Sequence, residues 1–282
     1  ALPPLFRELE EVVSAVELQQ LAAVLTNLPA VDREYVKRAN AEGLLDEVGL
    51  PLSYDPQLIQ AYWSRRPRKL QYRLDQFQQS ALPFFNNFLS IAISGGPQAL
   101  REKSGSLAKQ VRTAFERLGP TYIKAGQVLS VRPDLLPPEA VHELAKLQGS
   151  VQEFASQAAF QEIEAELKAP LSTVLSQISK RPMAAGSLAQ VYKATTVDGK
   201  SVAVKIQRPD AQEMVSLDLY ILRNAAAAYQ TLVRQTIGPA DADFVSLFDE
   251  WAQQLYAELD FAQEAASQER LRGLLAAAGV CD

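Results

Sequence analysis

Cysteine and histidine are almost absent from this 282-residue chain, and their scarcity removes whole classes of chemistry. The single cysteine, Cys281, can close no disulfide within the chain and build no cysteine-rich zinc site. The single histidine, His142, would have to carry any Ser-His-Asp triad or histidine metal site alone, and it reads as a helix-surface residue instead. Long apolar runs are missing too. No stretch of about 18 uninterrupted apolar residues exists, so no transmembrane helix is expected. The best candidate, residues 82–93, is short and is broken by Asn86 and Asn87. Basic charge is in deficit: 28 Lys and Arg stand against 33 Asp and Glu, for a net charge of -5. Nucleic acid is therefore not an expected partner, because neutralising phosphates needs a basic surface. A local pocket for one nucleotide is untouched by that argument. The chain opens on Ala1 rather than Met and reads as trimmed, with any targeting peptide out of view.

What is present is a normal globular composition, 48% hydrophobic and 22% charged, enough for one large domain or two ordinary ones. Residues 5–28 carry Leu5, Leu9, Val12, Val13, Val16 and Leu21 at helical spacing. Asp32 is placed to cap a second helix that ends near Gly43. Between residues 61 and 73, Tyr62, Trp63 and Tyr72 mingle with Arg65, Arg66, Arg68, Lys69 and Arg73. Two readings stay open there: a membrane-surface segment, or a solvated helix face whose aromatics are buried. Gly95-Gly96-Pro97 is a break. Helices are then expected over 100–118, 121–130, 138–148 and 154–167. Past Pro170 the pattern changes to two short strands, 188–196 and 200–207, joined through Val197-Asp198-Gly199, whose Asp-Gly pair suits a hairpin. One helix to about residue 236 follows, then a break at Gly238-Pro239, then one long helix from about 241 to 275.

Four motifs bear on chemistry. The first is Val202-Ala203-Val204-Lys205, an apolar strand ending in lysine, as in the kinase strand whose lysine contacts nucleotide phosphates. Alone it equally suits an edge-strand lysine reaching to water. The second is the small-residue turn ahead of the hairpin, Ala184-Ala185-Gly186-Ser187-Leu188-Ala189-Gln190-Val191, standing where a kinase has its glycine-rich loop. Alanine keeps the side chains short but restricts φ. The third is Lys124-Ala125-Gly126-Gln127, with Lys124 and Gln127 three apart on one helix face. Gly126 in a helix costs about 1 kcal/mol against alanine, which predicts that something packs closely there. The fourth is Glu258-Leu259-Asp260, followed by Glu264, four residues past Asp260 and on the same face of the expected long helix. Asp243-Phe244-Val245 only superficially matches an Asp-Phe-Gly segment and reads as a helix start.

Together the four motifs resemble the UbiB family of atypical, protein-kinase-like proteins over roughly residues 95–282. The lysine-x-glycine-glutamine signature is Lys124 to Gln127, and the glutamate-x-aspartate signature is Glu258 and Asp260. The resemblance implies an α+β fold: a kinase-like N-terminal lobe with a small antiparallel sheet, preceded by a mostly helical extension, with the C-terminal lobe absent. Residues 1–94 would be a variable extension, 95–169 the signature-bearing extension and 170–282 the small lobe. It implies that Lys205 holds nucleotide phosphates with Glu264 as its ion-pair partner, and that Lys124 faces Glu258 or Asp260. Ala184, Ala185, Gly186, Ser187, Leu188, Ala189, Gln190, Val191 and Ala203 would line the nucleotide. The implied ligand is ATP or ADP, with Mg in the full-length protein. Further implied partners are a membrane or prenyl lipid, and a second copy in a homodimer is left open. The implied setting is isoprenoid-quinone or prenyl-lipid metabolism at a membrane, in a plastid (plastoglobule or thylakoid) or cyanobacterium, with the mitochondrion as the alternative. Two positions depart from the usual family loop: Gly186 where a third alanine is common, and Ala189 where glycine is common.

Phosphotransfer also needs a catalytic aspartate and metal-binding Asn and Asp residues. Only 18 residues follow Glu264, and none supplies such a set. The chain is expected to be a fragment, inactive alone. A non-catalytic pseudokinase or lipid-binding scaffold is the competing reading, and a small-molecule kinase of the aminoglycoside type is a weaker one that should lack the Lys124–Gln127 signature.

Overall fold

The computed structural model describes residues 31–149, 151–236 and 243–279. The helix expected over residues 5–28, the break at Gly238-Pro239 and Cys281 lie outside the described residues. The described chain is mostly helical, with one four-stranded antiparallel sheet, in agreement with the expected α+β class. It divides into two compact units: one holds Arg65–Val215, the other the described parts of Pro29–Ser64 and Ser216–Asp282.

The first unit begins with α3 (Pro67–Glu102), numbered after α1 (Arg33–Ala41) and α2 (Pro56–Trp63) of the second. The break expected at Gly95-Gly96-Pro97 is a kink inside α3, where Gly96 takes φ 60° and ψ −159°. That positive φ is open to glycine at little steric cost. Then come α4 (Ser104–Leu118), α5 (Pro120–Leu129) and α6 (Pro138–Ala145), extended by a 3-10 turn at Lys146–Gln148. Pro120 and Pro138 open their helices at the first turn, where a missing N–H costs nothing. Two apolar clusters hold these helices: Phe88, Ile91, Leu100 and Leu107 in one, Ile123, Leu144 and Leu147 in the other. His142 is exposed in the last turn of α6.

Helix α7 (Ser156–Leu167) leads into the sheet of β1 (Leu175–Ile178), β2 (Ala184–Ala185), β3 (Ala189–Thr196) and β4 (Ser201–Gln207). Strand β3 is central. It pairs along its whole length with β4, and on its other side with β2 near its start and β1 near its end. The hairpin turn falls at 197–199 as expected, with Gly199 at φ 84° and Thr196 N–H bonded to the Lys200 carbonyl at 2.9 Å. Strands β1 and β2 were not expected. The first has four residues and the second two, too short to show an alternation.

In the second unit Asp32 caps α1 through the Glu34 and Tyr35 amides, and Asp55 caps α2 through Gln57 and Leu58. Helix α8 (Ala211–Thr236) runs from the first unit into the second. The long helix expected over 241–275 is instead two, α9 (Phe244–Ala257) and α10 (Phe261–Ala277). The reason is capping: the Asp260 carboxylate accepts from Gln263 N–H at 2.8 Å and opens a new helix. Asp243 caps α9 the same way, through Ser246, so Asp243-Phe244-Val245 is a helix start as read. Trp63 is fully buried and donates to Ser216 Oγ at 3.2 Å. Asp249 accepts from Tyr54 Oη at 2.5 Å and from both arms of Arg223 at 2.8 and 3.0 Å. Burial, then the Asp249 carboxylate, push the Tyr54 hydroxyl far above the usual phenol range. Of the aromatics in the mixed 61–73 stretch, Tyr62 and Trp63 are buried and Tyr72 is exposed. Among the described residues no helix is long and apolar enough to cross a membrane.

Candidate nucleotide site

A strand places alternate side chains on opposite faces, so β3 and β4 sort the candidate residues into two groups. One face carries Tyr192, Val204 and Ile206 and is covered by α7, with Ala159, Phe160 and Ile163 packed against it. The other carries Val191, Ala203 and Lys205. Val191 and Lys205 are directly paired across the two strands, and Ala203 and Lys205 are both exposed. Lys205 is thus on the open side of the sheet, next to a strand whose other side is a packed core.

The alanine-rich segment closes one end of that open side. Ala184 and Ala185 pair with Val191 and Gln190, and the chain then turns tightly, with Gly186 N–H bonded to the Ala189 carbonyl at 2.7 Å. A Cβ at Gly186 would sit 3.5 Å from that carbonyl oxygen, an ordinary contact. Ala184 and Gly186 are exposed, whereas Ser187, Leu188, Ala189 and Gln190 are buried. Gln190 is fully buried: its amide donates to the Phe154 carbonyl at 3.2 Å, and Tyr192 Oη donates to its side-chain oxygen at 2.8 Å. The Gln190 side chain therefore serves the core face, and only the backbone there lies at the turn.

One residue that the motifs do not single out holds this turn in place. Arg208 follows β4 directly. Its N–H bonds to the Leu188 carbonyl at 2.8 Å, its Nε to the Ser187 carbonyl at 3.1 Å, and its Nη2 to the Gln152 carbonyl at 2.9 Å. Its guanidinium also lies over the Phe154 ring, 4.9 Å from the centroid. Burial lowers its pKa from the ordinary arginine value. The only trace in the sequence is its place after the lysine strand and before Pro209, a position with no chemistry of its own.

The Lys124–Gln127 signature lies on α5, in the same unit. Gly126 is buried, and a Cβ there would come within 2.3 Å of Leu147 Cδ1 and 2.9 Å of Phe115 Cδ2. The close packing expected from a helical glycine is present, and its agents are Leu147 and Phe115. Gln127 does not reach outward alone: its amide donates to the Leu147 carbonyl at 2.9 Å, tying α5 to the 3-10 turn. Ser130 Oγ donates to the Gln127 carbonyl and accepts from Gln148, which extends the same tie. Lys124 is half-buried.

Glu258, Asp260 and Glu264 are exposed and belong to the second unit. Glu258 ends α9, Asp260 caps α10, and Glu264 stands in the first turn of α10, where a carboxylate suits the helix dipole. The pairings implied for Lys205 with Glu264 and for Lys124 with Glu258 or Asp260 therefore join residues of different units. Among the described residues no three His, Cys, Asp or Glu side chains gather as a metal site. The donor set on the open side of the sheet, one ammonium beside a turn of small residues, does fit a phosphate chain.

Comparison with known proteins bears on the family of the chain. Residues 146–279 match the ABC1 atypical kinase-like domain. The chain is 37% identical over 222 residues to an uncharacterized protein of Synechocystis, covering 78% of this chain and 31% of that protein. It is 37% identical over 231 residues to ACTIVITY OF BC1 COMPLEX KINASE 3, chloroplastic, of Arabidopsis thaliana, covering 79% and 30%. An uncharacterized aarF domain-containing protein kinase, chloroplastic, of the same plant is 35% identical over 231 residues, covering 81% and 32%. The chain thus spans about a third of the length of these relatives. Their chloroplastic and cyanobacterial sources agree with the plastid or cyanobacterial setting expected from the motifs. Residues 146–279 thus carry an ABC1 atypical kinase-like domain, the kind of domain to which the UbiB-type motifs pointed.

Proposed function

We propose that the chain is the nucleotide-anchoring portion of a UbiB-type atypical kinase or ATPase. The observation that carries this reading is the placement of Lys205 on the open side of a sheet, across from Val191 and next to the alanine-rich turn. Lys205 would hold the phosphates of ATP or ADP, with Glu264 as its partner. Ala203 and Val191 would meet the apolar part of the nucleotide. The turn at 184–189 would cover it with backbone, and Arg208 would fix the turn's position. Lys124 would meet Glu258 or Asp260 and narrow access for a protein substrate. Metal-binding and base residues would come from the rest of the full-length protein. A role in isoprenoid-quinone or prenyl-lipid metabolism in a plastid or cyanobacterium is part of the same proposal, and the sources of the relatives support the setting.

The test is nucleotide-dependent thermal stabilisation of the full-length protein. Ligand at 100 times its Kd stabilises a native protein by about 2.7 kcal/mol. Lys205→Ala is expected to remove most of that gain, and Lys205→Arg to keep a part of it. An unchanged gain in Lys205→Ala sinks the assignment. A non-catalytic scaffold would instead keep nucleotide binding and show no phosphate release in either form.

A further inference from the structure

The helical part of the first unit contains a cavity that the nucleotide reading does not use. It lies between α3, α4 and α6 and has a volume of about 130 Å³. Phe84, Phe88, Leu107, Val111, Leu136 and Leu144 supply most of its wall. Only two lining residues are polar, Arg101 and Ser104. The Ser104 hydroxyl is already engaged with Glu139 at 3.3 Å. Arg101 lines the cavity and is exposed, and among the described residues its side chain has no ion pair or hydrogen bond.

Two physical facts follow. Walls of carbon give water few partners, and an enclosed engineered apolar cavity of about 150 Å³ binds benzene. This cavity is thus sized for one six-membered ring or one branched five-carbon unit. The second fact is charge. A guanidinium at the rim of an apolar hole attracts an anion, and its planar fork matches a carboxylate or phosphate. Apolar walls with one convergent charged group are the usual make-up of a small-molecule site.

We propose that this cavity binds the apolar end of a small monoanionic amphiphile, whose carboxylate or phosphate head pairs with Arg101. The site is independent of the nucleotide and does not rest on that assignment. A free amphiphile is the occupant proposed; capture of a lipid within a bilayer is a separate outcome of the test.

The experiment uses the 282-residue chain and two probes, 4-ethylbenzoate and the uncharged 4-ethylbenzyl alcohol. Methyl NMR titration is expected to shift Leu107, Val111, Leu136 and Leu144. Arg101→Glu is expected to weaken 4-ethylbenzoate at least fivefold and to leave the alcohol unchanged. Ala140→Leu, which adds three carbons to the wall, is expected to weaken both probes at least tenfold. Ala108→Val serves if Ala140→Leu does not fold. Absence of methyl shifts at saturating probe overturns the proposal. So does equal loss of acid and alcohol in Arg101→Glu, or undiminished binding by a folded cavity-filling variant. Binding to phosphatidylglycerol vesicles with none to free 4-ethylbenzoate also overturns it.

Discussion

Replacing Gly126 by alanine sets two effects of known size against each other. In an open helix the change is favourable by about 1 kcal/mol, because glycine loses more backbone freedom. In this helix the added Cβ would stand 2.3 Å from Leu147 Cδ1 and 2.9 Å from Phe115 Cδ2. Carbon atoms rest at about 3.5–4.0 Å, so Leu147 must retreat by more than 1 Å. It has little room to do so: Leu147 is fully buried, and the Gln127 amide holds its carbonyl. Overpacking of this kind costs about 1–3 kcal/mol, which exceeds the propensity gain at all but its low end. A net destabilisation of about 0–2 kcal/mol is expected in urea unfolding followed by circular dichroism. Leu147→Ala alone should cost about 2–5 kcal/mol, as a buried leucine does. In the double variant the new methyl enters the space Leu147 vacates. The two changes should then be coupled favourably by about 1 kcal/mol or more, against near-additivity for unconnected sites. A Gly126→Ala chain more stable than the wild type by the full propensity gain of about 1 kcal/mol, or a strictly additive cycle, would refute the close-packing account of the signature glycine.

Arg208→Ala should destabilise the first unit by about 2 kcal/mol, from two charge-assisted hydrogen bonds and a cation–π contact reduced for partial exposure. Arg208→Lys should recover less than half, because one ammonium cannot serve both carbonyls; equal stability of the two variants in urea melts would contradict the clamp. Nucleotide affinity of the full-length protein should fall more in Arg208→Ala than in a surface control of equal stability. Gly186→Ala should leave the melting curve within about 0.5 kcal/mol, since the new Cβ meets only an ordinary contact. The same variant should change the ratio of ATP to ADP affinity, and equal shifts of both, or none, would count against the role given to the turn.

The sequence was most legible where a single residue type enforces a backbone geometry. Asp32 and Asp243 cap helices, Gly199 turns the hairpin, and Gly96 kinks α3, all at positions that composition and spacing point to. It was less legible where a short element depends on a neighbour. Strands β1 and β2 exist because β3 supplies their hydrogen bonds, and four or two residues carry no period. Asp260 was readable as part of an acidic motif, yet its carboxylate also starts a helix, and the apparent continuity of the flanking residues hid the break. At the candidate site, Lys205 and Gly186 stood out in the sequence, whereas Arg208 did not. Its three carbonyl partners at 152, 187 and 188 are set by tertiary structure. Gln190 was visible as part of the loop, but the period-two geometry of β3 turns its side chain inward, toward Phe154 and Tyr192.

Strand β4 pairs only with β3, so among the described residues its outer rim of N–H and C=O groups meets no other strand. Such a rim is a template for sheet growth between molecules, and natural sheets blunt it with charge, lysine above all. In the 282-residue chain taken alone, Lys205 is expected to blunt that rim as well as to meet a ligand. Removing it trades an ammonium for a methyl directly after Val202-Ala203-Val204, a run with strong tendency to extend. A drop in soluble protein after Lys205→Ala would then report sheet growth and not a lost ligand. Lys205→Arg, which keeps the guarding charge, is the variant in which the two are told apart.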